Sequence, residues 1–190
     1  LLSDFGNAGL QPETSRSFDI GIAAETGPFA ASVSAFRRNT RDQIAFVSCF
    51  VMSGGICTNR PSGTYDNVTR TRAEGIEAQV SARLGSGLTL QGVYALVDTK
   101  DRDSGNVLAR RPRHAATITA LWQPHVALNL AADLRVVSHS FDDAGNFVRL
   151  DGYEVMSLRG DWSVTPHLRL FGRMENLWAE DYQTAAGYAT

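Results

Sequence analysis

The sequence predicts an all-β chain, an antiparallel up-and-down meander of about eight long strands in the wall of a transmembrane barrel. Three observations carry this. In residues 71–98, Ile76, Ala78, Val80, Ala82 and Leu84 alternate with Glu77, Gln79, Ser81 and Arg83, and after Gly85-Ser86-Gly87 the positions Leu88, Leu90, Gly92, Tyr94 and Leu96 resume an apolar face. Successive side chains of a strand point to opposite faces, so this is a hairpin with one greasy and one wetter side. Its arms run about fourteen and eleven residues, against about 5–6 for strands of soluble domains and about 9–11 for a tilted bilayer crossing. Finally, tight turns fall at Gly27, Ser86, Pro124 and Pro166, with a longer loop between each successive pair. In a meander every second connection lies on the same side. All short turns are then on one side and all long loops on the other, which is the pattern of outer-membrane barrels. A Greek-key sandwich needs crossing connections and does not predict it. Taken alone, residues 71–98 also suit one long hairpin of a soluble sheet.

Composition fits either setting. The 190 residues carry 18 basic and 20 acidic side chains, so nothing points to a nucleic-acid partner. Hydrophobic content is 43% and mean hydropathy is −0.17, compatible with a barrel because only every second strand position needs to be apolar. No run of about 18 apolar residues is present, so no transmembrane helix is expected. Residues 1–9 lack both a basic start and a long apolar run, and an exported protein would therefore hold this chain as an internal piece.

In chain order, residues 1–13 read as loop. From Thr14 a strand sets Phe18, Ile20, Ile22 and Ala24 against Ser17, Asp19, Gly21 and Ala23. Gly27-Pro28 turns the chain, the proline with its fixed φ and the glycine with its permissive one. Phe29, Ala31, Val33 and Ala35 form the next outward face, running into Arg37 and Arg38. Residues 45–66 make a long Gly/Ser-rich connection before the hairpin. Residues 99–108 are a polar loop, 110–123 a strand, Pro124-His125 a turn. Leu128, Leu130, Ala132, Leu134 and Val136 then alternate with Asn129, Ala131, Asp133 and Arg135. A loop over 140–147 leads to a strand over 148–164, and Pro166-His167 turns again. The last strand sets Leu168, Leu170, Gly172 and Met174 against Arg169, Phe171, Arg173 and Glu175. Phe29, Trp122 and Trp162 each lie near a tight turn, where an interfacial girdle would sit. Inward Arg83, Arg135, Arg169, Arg173, Glu77, Asp133 and Glu175 imply a wet or polar-plugged lumen, since a dry core would cost several kcal/mol for each unpaired ion.

Motifs of catalysis are missing: no Gly-x-Ser-x-Gly elbow, no His-Glu-x-x-His, no phosphate-binding glycine loop, and four scattered histidines. No enzyme and no cofactor are expected. Cys49 and Cys57, with Gly54-Gly55 between them, suggest a disulfide in an exported loop, which would restrict the unfolded chain by about 2.5 kcal/mol; two free thiols are the alternative. Further Cys or His ligands for a zinc site are lacking nearby. Asp101-Arg102-Asp103-Ser104-Gly105 is a poor match to a calcium loop, because the glycine comes one position early and Pro112 replaces the terminal glutamate. Solvated turns are expected there and at Asp142-Asp143-Ala144-Gly145-Asn146. Asn67-Val68-Thr69 fits a glycosylation sequon that a bacterial outer membrane would not use. Arg110, Arg111 and Arg113 sit where a long loop re-enters a strand, suited either to an anionic ligand or lipid phosphate, or to a charge cluster paired with carboxylates.

Glu175-Asn176-Leu177-Trp178, followed by Asp181-Tyr182 and Gly187-Tyr188, resembles the C-terminal signature of TonB-dependent outer-membrane receptors. GLQPETSRSFDIG (residues 9–21), RRNTRDQI (37–44) and RAEGIEAQ (72–79) are similar to further landmarks of that family, in its order, so the resemblance covers essentially the whole chain. The spacing of Leu108-Ala109-Arg110-Arg111 and the ending Gly187-Tyr188-Ala189-Thr190 look most like the cobalamin receptors; siderophore receptors share most other landmarks. The resemblance implies a barrel of about 22 strands closed around an N-terminal plug, in the outer membrane of a Gram-negative bacterium. Residues 1–190 would then be the C-terminal portion of the barrel domain, open at both edges, without plug, TonB box or closing strand. Its partners would be outer-membrane lipid and lipopolysaccharide, TonB, and a corrinoid or ferric siderophore, with Arg110 and Arg111 at the substrate. A soluble β-sheet binding module and an outer-membrane barrel enzyme are the competing classes.

Overall fold

The computed structural model describes residues 6–47, 49, 57–60 and 62–189. Gly54, Gly55 and Thr190, singled out from the sequence, lie outside them. The strands are β1 (Thr14–Thr26), β2 (Phe29–Val47), β3 (Thr64–Leu84), β4 (Leu88–Asp101), β5 (His114–His125), β6 (Leu128–Val137), β7 (Ser140–Phe141), β8 (Arg149–Leu150), β9 (Tyr153–Thr165), β10 (Leu168–Met174), β11 (Gln183–Ala185) and β12 (Tyr188–Ala189). One eight-stranded sheet runs β1-β2-β3-β4-β5-β6-β9-β10, with every neighbour antiparallel. The meander of eight strands is therefore as expected, and β1 and β10 leave it open at both edges. Two small hairpins, β7-β8 and β11-β12, stand apart from the sheet. Among the described residues no helix is long and apolar enough to cross a membrane.

Register fixes the faces, because directly paired residues point the same way. One rung reads Ala31–Val80–Gly92–Ile118–Leu134–Met156, and another Leu84–Leu88–Trp122–Leu130–Gly160–Gly172. The opposite face reads Ala30–Ser81–Gln91–Thr119–Asp133–Ser157. Val80, Leu88, Leu90, Leu128, Leu130 and Leu170 share the apolar side, and Glu77, Arg83, Asp133 and Arg173 share the polar one. Phe29, Trp122 and Trp162 all lie on the apolar side at the turn end, each about half exposed.

The hairpin that organises the chain is longer than its pattern indicates: β3 has 21 residues and β4 has 14. Its turn works because Ser86 and Gly87 adopt φ of 61° and 76°. A Cβ on Gly87 would come within 2.4 Å of the Gln123 carbonyl, against which this segment of chain lies.

Several boundaries differ from the sequence reading: β2 runs to Val47, β3 starts at Thr64 and β4 runs to Asp101, each inside an expected loop. Pro124 and His125 belong to β5, and the turn is Val126-Ala127. A register shift between Trp122 and His125 leaves Pro124 out of the ladder it cannot donate to. β5 begins at His114, so residues 110–113 are loop, because Arg110 has φ 54° and the segment is tied to another loop. β9 begins at Tyr153, because residues 149–150 pair back on 140–141 instead. Gly152 follows, where a Cβ would meet the Val137 carbonyl at 2.6 Å.

The sheet has almost no interior. Among the described residues the buried apolar side chains are Cys49, Cys57, Val137 and Leu150. Ile22 is 76% exposed, Val80 57% and Ile118 54%, all on one face. Arginine substituted for Val80, in the middle of that face, should cost roughly 2–4 kcal/mol in a bilayer. The same change at neighbouring Gln79 should cost much less. Equilibrium unfolding of the full-length protein in lipid vesicles measures the difference, and equal costs would show that the face does not meet lipid.

Candidate functional site

All tight turns lie at one end of the sheet, so the loops and residues 6–13 gather at the other. There the chain ties its loops together by side chains that replace missing ladder bonds. Asn67 bonds the backbone of Gln11 in both directions, at 2.7 and 2.8 Å, and donates to the Asp42 carbonyl at 2.6 Å. The asparagine of the sequon is thus a clamp on the segment entering β1. Glu13 accepts from the Ile44 N–H at 2.7 Å. Cys49 and Cys57, with Cα atoms 5.4 Å apart, are disulfide-bonded and buried.

The loops following β4 and β6 are joined along their length. Asn106 donates to the Ala144 carbonyl at 3.0 Å, and Asn146 exchanges two 2.9 Å bonds with the Val107 backbone. Arg110 donates its N–H to the Phe141 carbonyl at 2.6 Å and its Nε–H to Asp142 at 2.7 Å. Asp101 turns its own loop by accepting from the N–H groups of Asp103 and Ser104, at 2.8 and 3.2 Å. Asp103 accepts from Arg70 Nε at 3.0 Å.

Asp143 accepts from the N–H groups of Gly145, Phe147 and Val148, at 2.8, 3.2 and 2.6 Å. The Val148 N–H above all holds its carboxyl below the usual range. Asp142 is lowered as well, first by the Arg110 guanidinium and then by the Ala186 N–H of the last loop. Asp103 is lowered chiefly by Arg70. The Asp142–Asn146 stretch, which the sequence presents as a solvated turn, is the organiser of this end. The run of two aspartates, a glycine and an asparagine is the available signal for it.

Of the two arginines singled out at the ligand, Arg110 is half committed. Its terminal nitrogens make no hydrogen bond among the described residues, and its side chain is 56% exposed. Arg111 is exposed and has no ion-pair partner among the described residues. Beneath the loops, on the polar face, Thr117, Arg135, Tyr153, Ser157, Arg173 and Tyr182 line a depression. Tyr153 and Tyr182 stack there, ring centres 4.2 Å apart. The signature Asn176 makes the adjoining bend. It has φ 50° and bonds the Glu180 backbone in both directions, at 2.8 and 2.9 Å. The Leu177 N–H ties that bend to the Met156 carbonyl at 2.9 Å. The sequence does not reveal the tyrosine stack, because its members lie on different elements.

A polar rim and a polar wall below it can bind and orient a solute by several directed hydrogen bonds. Residues 2–177 match the family model described as TonB dependent receptor-like, beta-barrel. The Vitamin B12 transporter BtuB of Photobacterium profundum is 27% identical over 97% of this chain and 29% of its own length. The iron-regulated outer membrane virulence protein of Vibrio cholerae serotype O1 is 30% identical over 68% of this chain and 21% of its own. The crystal structure of the ferric yersiniabactin uptake receptor FyuA from Yersinia pestis superposes with a TM-score of 0.74, at 18% identity, over 91% of this chain and 26% of that one. The chain thus spans under a third of the length of these proteins.

The Arg110–Asp142 link has a defined pH dependence. Asp142 is lowered on folding from its ordinary value of 3.8, so the link contributes fully above that value and is lost as pH falls through the lower folded value. Hydrogen exchange at Arg110, and at Val148, whose N–H donates to the likewise lowered Asp143, should therefore stay slow from neutral pH to about pH 4 and speed up below it, once corrected for intrinsic rates. In Asp142→Ala the Arg110 amide should lose this pH dependence. A pH-independent pattern in the unmodified protein contradicts the assignment.

Proposed function

The chain belongs to the TonB-dependent receptor β-barrel family, and from that premise we propose that it is a wall segment of an outer-membrane receptor that binds a scarce nutrient at its extracellular face and admits it to the periplasm with energy supplied through TonB. The carrying observation is the register, which puts a predominantly apolar face opposite a polar one and gathers the long loops at a single end. Such a wall separates lipid from an aqueous lumen and presents ligand loops outward. Uptake belongs to the whole receptor, and TonB engagement and the lumen-filling plug are assigned to the rest of the longer protein. The solute passes unchanged; no reaction is proposed.

The proposed substrate is a cobalamin-like corrinoid, held in part by Arg110 and Arg111. Supporting this, the matched relatives include vitamin B12 transporters of two species at 27% and 28% identity. The chemistry suits it, since a guanidinium offers donors in a fixed fork for phosphate and amide oxygens of a large ligand. Pro112 next to the pair limits the freedom of the backbone presenting it. An iron-regulated relative favours a second reading, a ferric siderophore at the same loops.

Labelled cyanocobalamin should bind saturably to outer membranes containing the full-length protein. Arg110→Ala should weaken that binding by roughly tenfold, about 1.4 kcal/mol. Asp142→Ala, which frees the guanidinium without deleting it, should weaken it less. Absence of saturable binding would sink the corrinoid and leave the siderophore reading. Equal losses in the two variants would make Arg110 a loop staple and not a ligand contact.

A further inference from the structure

The depression in the polar face holds one arginine whose charge is not matched. Arg135 lines it, directly opposite Thr117 on β5 and Val155 on β9. The two carboxylates of the lining are taken. Asp133 lies 3.6 Å from Arg159 and accepts from Thr119, and Glu175 is paired with Arg173. Arg135 is exposed and has neither an ion-pair partner nor a hydrogen bond among the described residues. Its guanidinium therefore keeps its fork of donors for something that enters the lumen.

Beside it stands an aromatic wall. Tyr153 is the first residue of β9, and Tyr182 lies between β10 and β11; their rings stack 4.2 Å apart, within 24° of parallel. Tyr153 pairs with Val137, two positions along β6 from Arg135. Such diagonal neighbours sit about 7–8 Å apart, within reach of long side chains. The segment carrying Tyr182 is fastened before it reaches the stack. The Leu177 N–H bonds the Met156 carbonyl, and Asn176 closes its bend on the Glu180 backbone. The platform is thus in place before any ligand arrives. Thr117 and Ser157 add hydroxyls to the same lining.

These parts select a chemistry. A guanidinium holds phosphate or paired phenolate oxygens by charge-assisted hydrogen bonds, to which hydroxyls add further donors. A tyrosine stack takes a flat ring against its face or edge. A cationic solute would meet Arg135 unshielded, and an apolar one would leave every donor unpaired. The depression measures about 560 Å³, within the range of about 300–1,000 Å³ that suits a drug-sized group. It therefore admits one arm of a large solute, while Arg110 and Arg111 stand at the rim above.

We propose that Arg135, the Tyr153–Tyr182 stack and the Thr117 and Ser157 hydroxyls form a second subsite, in the lumen wall, for an anionic oxygen group joined to a flat aromatic ring. The nucleotide arm of a complete corrinoid has this chemistry, a phosphodiester linked to a benzimidazole base; so does the catecholate of an aryl siderophore. The subsite rests on the reading of the chain as a receptor wall. Its test is calorimetric titration of the full-length protein in detergent with three probes: cyanocobalamin, dicyanocobinamide (the same macrocycle without the nucleotide arm) and ferric enterobactin, a catecholate. Cyanocobalamin should bind at least about tenfold more tightly than dicyanocobinamide, and Arg135→Gln should remove most of that difference. If the solute is a siderophore, ferric enterobactin is the probe that binds, and Arg135→Gln weakens it by a similar factor. Tyr153→Leu should weaken the anionic ligand by about fivefold and Tyr153→Phe should not, a split that assigns the effect to the ring. Arg169→Gln, which removes a lumen arginine held by Asp161 outside the depression, should change nothing. Variants are compared as folded barrels, identified by heat-sensitive mobility. Unchanged binding of the anionic ligand in folded Arg135→Gln, or an equal loss in Arg169→Gln, overturns the subsite and leaves the receptor reading standing. A receptor that binds none of the three probes overturns both the subsite and the proposed substrates.

Discussion

An antiparallel sheet satisfies its backbone hydrogen bonds but does nothing for an apolar face that no second layer covers. That uncovered face is the constraint on which this chain depends. Its eight strands carry Ile22, Val33, Val80, Ile118, Trp122 and Leu130 on one side, all exposed. Covering each such side chain is worth about 1.5–3 kcal/mol, so leaving the whole face in water would outweigh the stability of an ordinary domain. A bilayer supplies the cover. The same constraint explains the length of β3, which must cross hydrocarbon and emerge, and the girdle of Phe29, Trp122 and Trp162 where the strands leave it.

The polar face obeys a different rule. Several of its ions are held beside partners: Arg159 lies 3.6 Å from Asp133, which accepts from Thr119 at 2.7 Å, and Arg169 lies 2.8 Å from Asp161, which accepts from Asn129 at 3.1 Å. Such pairs contribute little to stability where water reaches them. They make the wall hydrophilic, so a solute or a polar plug can lie against it. The loops are ordered by yet another means. With no core beneath them, they use short polar side chains to complete backbone bonds: Asn67, Asp101, Asp143, Asn146 and Asn176. Asn176 shows why an asparagine suits this bend, since it tolerates a positive φ and bonds the Glu180 backbone both ways.

What is legible in the sequence is what a period of two can carry. Alternation at 76–84 and 128–136 sets the strands, their faces and, with the turn residues, the side on which each connection lies. Contacts between loops have no period, and there the sequence says less. Arg110 to Arg113 read as the start of a strand, yet bonds from Arg110 to Phe141 and Asp142 hold them outside it. Pro124 reads as a turn residue, although a register shift lets it end β5. The Tyr153–Tyr182 stack depends on partners distant in the chain, which residue spacing does not encode.

The claim that one face of the sheet meets lipid is tested most directly by scanning β3 in the full-length receptor in membranes. Single cysteines at positions 76 to 82, each carrying an environment-sensitive fluorophore, are challenged with brominated acyl chains. Quenching should alternate, strong at Ile76, Ala78, Val80 and Ala82 and weak at Glu77, Gln79 and Ser81. Uniform quenching, or none along the whole strand, would contradict a barrel wall with lipid on one side and water on the other.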